Sequence, residues 1–426
     1  MEWFIDKNSI TIDDLSAPVL TEAAQAAMEM VAEMSVVLNP DDIITEAKDT
    51  LSLDDFGDME FMSRLTLLCE EWSQDKTINN LGLLGLRGKL VTFAKNRLLI
   101  QDLLIREPEI HDVKIKAPII VAGLPRSGTT HLLNLLAADS RLRSLPLWES
   151  YEPVPTPGEE AGETGQDPRY ERCDAQWQAM QQISPLMAAM HPMNPEHIHE
   201  ELELMGPDFA SYNFEWLSTS PRWRDYYFST DQTPHYEYMK TVLKILTWQD
   251  GDVSGAQTRW VLKCPQHLEQ LRVLKKVFPD SIIPITHRDP VSVIQSAATM
   301  VAYGRRAIRD SIDVPEIGAY WADRIYRLLK ACVRDRAQIP AAQSIDILFH
   351  EFMADAFKTI EVIYEKAGLE LTDEARSELQ NFIDNHPRGK YGQIEYHLKR
   401  DFGIEPAELR EKFKFYFDAF PVKVEA

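Results

Sequence analysis

The stretch IIVAGLPRSGTTHLLNLL, Ile119 to Leu136, decides the fold. It begins as an apolar run ending in glycine, the pattern of a buried strand that feeds a turn. It ends as an apolar segment of helical period. Between them lies Gly123-Leu-Pro-Arg-Ser-Gly128-Thr-Thr. The two glycines have the spacing of the phosphate loop G-x-x-x-x-G-K-[ST], but Thr129 stands where that loop has lysine. In a strand–loop–helix context, successive backbone N–H groups converge on one point and the helix N-terminus adds partial positive charge. Arg126 offers a permanent, bidentate cation, and Ser127, Thr129 and Thr130 offer hydroxyls. The stretch therefore predicts an anion cradle. The bland alternative is a helix start whose Gly and Thr serve turn geometry alone.

The lysine's absence argues against nucleoside triphosphate chemistry, which also needs an acidic residue to hold Mg²⁺. No hydrophobic run after the loop ends in D-x-x-G or a D-D pair. What ends the next runs is basic: Lys263 after Trp-Val-Leu, and Arg288 after Ile-Thr-His.

Working outward, APIIVAG, LRSLPLWE (142–149), WVLK (260–263), SIIPITHRD (281–289) and SIDILFH (344–350) read as strands. HLEQLRVLKKVF, PVSVIQSAATMVAYG and a long segment near 316–337 read as helices between them. Alternation of this kind predicts an α/β fold with a central parallel sheet covered by helices on both faces. Residues 17–107 carry apolar residues at helical spacing and predict an N-terminal helical region, 1–116, packed as a cap on a main domain, 117–426. Residues 152–172, rich in Pro, Gly and Glu, predict a loop, within an insertion spanning about 151–256 that is dense in Met, Trp and Tyr.

The chain has 426 residues and a formal net charge of −22, which disfavours a general nucleic-acid or anionic-membrane binder. An anionic ligand then needs a local basic pocket. The start, MEWFIDKNSITIDDL, lacks the basic and apolar regions of a secretory signal, and no apolar run is long enough to span a bilayer. Four cysteines (Cys69, Cys173, Cys264, Cys332) with no C-x-x-C pair suit a reducing, cytoplasmic setting.

With these residues in view, the chain resembles the 3′-phosphoadenylyl-sulfate (PAPS)-dependent sulfotransferases, in style the small-molecule and tyrosyl-protein group with P-R-S-G-T-T loops. The resemblance runs from about Ala117 to Ala298 and returns near the C-terminus. It implies that Pro125, Arg126, Ser127, Gly128, Thr129 and Thr130 hold the 5′-phosphosulfate end of the co-substrate. FPDSIIPITHRDPVSVIQS, Phe278 to Ser296, is similar to the family's 3′-phosphate motif, which places Arg288 and Ser296 on that phosphate. Asp289-Pro290 is independently a sound helix start, Asp as N-cap and Pro at N1. The alternative for Arg288 is an ordinary ion pair to Asp289 or another acid. PRGKYG, Pro387 to Gly392, resembles the R-K-G stretch that closes over the 3′-phosphate, with the order changed to Arg-Gly-Lys, and suggests Arg388 and Lys390. Its alternative is a basic surface turn.

Sulfuryl transfer to a hydroxyl needs a base for the acceptor proton, stabilised equatorial oxygens and help for the leaving phosphate. Lys263 resembles the family lysine on the bridging oxygen. For the base, Glu149 matches by position the glutamate of the tyrosyl-protein branch. The rival is HPMNPEHIHEELELM, with His191, His197, His199, Glu200 and Glu201, from which His199 is the second choice. H-x-H beside glutamates is also a metal-ligand pattern, although no third-ligand spacing accompanies it, and the reading requires no metal. The cluster's bland alternative is an acidic helix cap at the pocket rim. Tyr212, Trp216, Trp223, Trp248, Met187, Met190, Met193 and Met205 at this density usually form core, but the resemblance puts an acceptor pocket here. The expectation is transfer of a sulfuryl group from PAPS to a hydroxyl of a small, apolar acceptor, releasing adenosine 3′,5′-bisphosphate. The alternatives are a P-loop-type kinase with displaced catalytic parts and a non-catalytic nucleotide-binding module.

Overall fold

A computed structural model describes residues 9–162, 165–386 and 392–425. Six short strands are present among them: β1 (Ser9–Thr11), β2 (Ile119–Gly123), β3 (Val261–Lys263), β4 (Ile283–His287), β5 (Ser344–Leu348) and β6 (Gln393–Glu395). The central sheet has the order β3-β2-β4-β5 with every pairing parallel. β1 and β6 form a separate parallel pair.

Side-chain alternation along β2 explains why this strand is buried on both faces. Ile119 and Val121 join Val261, Ile347, Leu132, Leu136 and Phe352 in one core. Ile120 and Ala122 point the other way, into a larger core with Leu262, Ile283, Ile285, Val293, Ile294 and Trp321. A parallel sheet with helices on both faces results, as the alternating pattern predicts. Its helices include Thr129–Ala137, Pro290–Gly304 and Val314–Asp335.

The N-terminal region contains the helices Glu22–Val31, Pro40–Leu51, Phe61–Gln74 and Asn80–Arg106. The last is 27 residues long. Its first half packs with Leu65, Trp72, Phe209, Phe214 and Trp223 in a third core. Its second half sends Leu99, Ile100 and Leu103 into the main core.

Two expectations need correction. LRSLPLWE is not a strand. Arg143 and Pro146 make single bridges, to Trp260 and Ile198. Pro146 has no N–H to continue a ladder, and it instead precedes a short helix, Leu147–Tyr151. The loop expected over 152–172 ends earlier, because Asp167 caps a helix that begins at Pro168 and accepts from the Arg169 N–H. No helix among the described residues is long and apolar enough to cross a membrane.

Candidate active site

The C-terminal ends of the parallel strands converge on one edge of the sheet, where open α/β folds bind ligands. β2 ends at Gly123, and a Cβ there would lie 2.0 Å from the Thr286 hydroxyl of neighbouring β4, so glycine is required. The loop then turns through Arg126 at φ 63 and Gly128 at φ 86. Left-handed backbone at a non-glycine residue costs about 1–3 kcal/mol and persists where the surroundings over-determine it. Gly128 is the N-cap of Thr129–Ala137, and no side chain among the described residues caps that helix. Its first-turn N–H groups are thus available to an anion.

Arg126 ties the loop to the helix after β4. Its Nε donates to Ser296 Oγ at 2.9 Å and its NH1 to the Met190 carbonyl at 2.7 Å. Arg288 donates in turn from NH1 to the Arg126 carbonyl at 2.6 Å. Asp289 caps Pro290–Gly304 through the Val291 N–H, with proline in the first turn, as the sequence indicated. Arg126, Arg288 and Ser296 therefore form one hydrogen-bonded set. Arg288 is also paired with the chain's C-terminal segment: its Nε and NH2 meet the Glu425 carboxylate at 2.8 and 2.7 Å. Asp289 and Arg410 hold the Glu425 backbone N–H and C=O. Ser127 faces inward, donating to the Leu124 carbonyl at 2.6 Å and meeting the Thr286 hydroxyl at 2.7 Å. Arg388 and Lys390 lie outside the described residues.

Lys263, the last residue of β3, is buried, and its Nζ reaches Thr130 Oγ1 at 3.3 Å and pairs with Glu200. The adjacent Glu201 accepts the Lys263 backbone N–H at 2.6 Å. Glu149 is not brought to this cluster. It pairs with Arg143 at 2.7 Å, away from the cavity lining, and burial raises its carboxyl pKa against the pull of Arg143. His191, His197 and His199 stand together, with ring centroids 5.2 to 6.2 Å apart. Burial holds all three neutral, pushing His191 down to about 4 and the other two well below the ordinary histidine value. Both ring nitrogens of His199 are buried without a hydrogen-bond partner among the described residues. No group of three or more ligating side chains suited to a metal occurs among the described residues.

Part of this constellation borders a cavity of about 540 Å³. Pro125, Arg126, Thr129, Thr130, His191, His199 and Glu200 line it at the loop. Met180, Met187, Met193, Trp216 and Leu217 come from the insertion, and Met300, Val301 and Arg305 from Pro290–Gly304 and its C-cap. Of the expected pocket residues, Met190, Met205, Tyr212 and Trp223 are core, and Trp248 packs against it. The N-terminal region contributes Leu81, Gly82, Gly85, Leu86 and Lys89, which the sequence reading did not single out. A signal existed: glycines at 82, 85 and 88 inside a helix each cost about 1 kcal/mol relative to alanine. A Cβ on Gly85 would meet nothing within 4 Å, so its side of the helix is left open to the cavity.

A sulfotransferase family model matches residues 118–373, well over half of the chain. The chain belongs to the sulfotransferase family. The sulfotransferase STF1 of Mycobacterium tuberculosis H37Rv is 30% identical, with a TM-score of 0.76 over 89% of this chain and 99% of that one. The sulfotransferase STF9 of Mycobacterium avium shares the fold, with a TM-score of 0.80 at 23% identity over 92% and 99% of the two chains. No curated sequence matches this sulfotransferase. Both structural matches extend beyond the family segment and so include helices outside 118–373.

Proposed function

We propose that this sulfotransferase takes its sulfuryl group from PAPS and passes it to the hydroxyl of an apolar small molecule. The observation that carries the reading is the hydrogen-bonded set of Arg126, Arg288 and Ser296 beside an uncapped helix N-terminus and a buried strand-end lysine. Arg288 and Ser296 would hold the 3′-phosphate, with Arg288 released from Glu425. Gly128, Thr129 and Thr130 would receive the 5′-phosphosulfate on their N–H and hydroxyl groups. Pro125 and Ser127 shape the loop.

In this reading Lys263 leaves Glu200 to meet the bridging oxygen, where negative charge develops as the S–O bond to phosphate breaks. His199 accepts the proton of the acceptor hydroxyl as that oxygen forms its bond to sulfur. The ring is neutral, unpartnered and on the cavity wall, and neutralising Lys263 with a bound anion raises its basicity. Glu200 is the second reading for the base, because it lines the cavity and contacts Lys263. A sulfuryl group carries less charge than a phosphoryl group, so Lys263, Arg126 and backbone donors can supply the stabilisation. The apolar wall from Met187, Met193, Trp216 and Met300 fits a hydrophobic alcohol or phenol.

Calorimetric titration with adenosine 3′,5′-bisphosphate tests the donor assignment. Saturable binding that Arg288→Ala weakens at least tenfold is expected. Binding of ATP–Mg²⁺ in place of the bisphosphate would overturn it.

A further inference from the structure

The run YGRRAIRD carries Arg305, Arg306 and Arg309. Arg306 pairs with Asp14 at 2.9 Å, and Arg309 pairs with Asp75. Arg305 has no carboxylate partner among the described residues, although it is 91% buried, being 9% exposed. Its NH2 donates to Thr219 Oγ1 at 2.8 Å, and its Nε is buried with no acceptor among the described residues. Burial together with the Arg309 charge pushes its pKa down to about 10, and the longer-range pull of Asp75 and Glu316 offsets this only in part.

Arg305 lines the same cavity as the anion loop. Ser296, which meets Arg126, lies nine residues earlier on the helix that Arg305 caps, about 13 Å away along the axis. The lysine on the wall differs: Lys89 is compensated by Glu203 at 2.7 Å. Lys263, buried behind the lining, is likewise compensated, by Glu200. Only Arg126 and Arg305 line the cavity without a carboxylate among the described residues, and Arg126 belongs to the donor end. A buried guanidinium without an anion is costly, and a site that keeps one is suited to an anionic ligand group.

We infer that the acceptor is amphiphilic: a hydroxyl at the Lys263–His199 end, an apolar body against Met187, Trp216 and Met300, and an anionic oxygen group such as a carboxylate seated on Arg305. The hydroxyl end rests on the function proposed above; the anion seat rests on Arg305 alone. The test uses the whole protein and two probes of equal length, ω-hydroxydodecanoate and dodecane-1,12-diol, with binding measured by calorimetry without any donor. The carboxylate is expected to bind about ten- to a hundredfold tighter, the span of a hydrogen-bonded charge. Arg305→Met should remove that preference while leaving diol binding and adenosine 3′,5′-bisphosphate binding in place. Equal affinity of the wild-type protein for the two probes overturns the inference, and this arm needs no variant to fold. Preference for the carboxylate without bisphosphate binding would retain the anion seat and sink the donor assignment; the converse would do the reverse.

Discussion

Glu425 occupies the guanidinium that the proposed donor needs, so replacing it should change donor affinity in a calculable direction. The Glu425 carboxylate meets Nε and NH2 of Arg288, and the two side chains are 28% and 22% exposed. A bidentate pair of this geometry is stronger than a single surface contact, but partial exposure screens it to about 0.5–1.4 kcal/mol. Displacing it subtracts that amount from binding. Glu425→Gln should therefore tighten adenosine 3′,5′-bisphosphate binding roughly two- to tenfold. The same substitution should lower the thermal midpoint slightly, because the folded protein loses an ion pair. Tighter binding with lower stability is a signature that general loosening does not give. In an Arg288→Ala background the Glu425→Gln gain should vanish, since the two side chains act through one contact. Calorimetry of the four proteins completes the cycle. Unchanged affinity on Glu425→Gln, or a gain that persists without Arg288, would refute the competition.

Further predictions concern the chemistry and the loop. Lys263→Met is expected to lower kcat by about 10²–10³ while bisphosphate affinity changes little, as for loss of one transition-state donor; a purely KM effect would remove Lys263 from the leaving-group role. His199→Asn should lower kcat by about 10²–10⁴. A base must be neutral to accept a proton, so activity is present above its pKa and lost as pH falls through it. Because burial lowers that pKa, the acid limb of kcat/KM should lie below the ordinary histidine value of 6.5. If Glu200→Gln abolishes the limb and His199→Asn leaves it, the two exchange roles. Gly123→Ala should destabilise by about 1–3 kcal/mol through overpacking against Thr286, read as a lower denaturation midpoint. Gly123→Ala with Thr286→Ala should recover part of the loss, and no recovery would place the strain elsewhere.

Much of the sheet was legible because its four strands are short runs rich in apolar residues, and three of them end at a local signal: Gly123, Lys263 just before Cys264-Pro265, and the Asp289-Pro290 helix start. Those same ends carry the glycine loop, Lys263 and Arg288, so the residues proposed for the donor were legible together with the strands. LRSLPLWE failed because its apolar spacing hides Pro146, which turns the chain into Leu147–Tyr151 and sets Glu149 against Arg143. His199 was named from an H-x-H motif, but its lack of partners is a tertiary fact. The rest of the cavity lining was least visible. Leu81, Gly85 and Lys89 come from a helix whose sequence reads as packing, and Arg305 is distinguished from Arg306 and Arg309 by having no paired carboxylate among the described residues. Ion pairing between distant segments leaves no local pattern.

Mass spectrometry of an ω-hydroxy fatty acid incubated with the protein and isotopically labelled PAPS tests the central claim most directly. A product heavier by one labelled SO₃ should appear with the wild-type protein and fall sharply with Lys263→Met. Bisphosphate binding with no sulfated product from that acid, the diol or a metabolite extract would contradict catalysis, and a phosphorylated product with ATP–Mg²⁺ would contradict the donor.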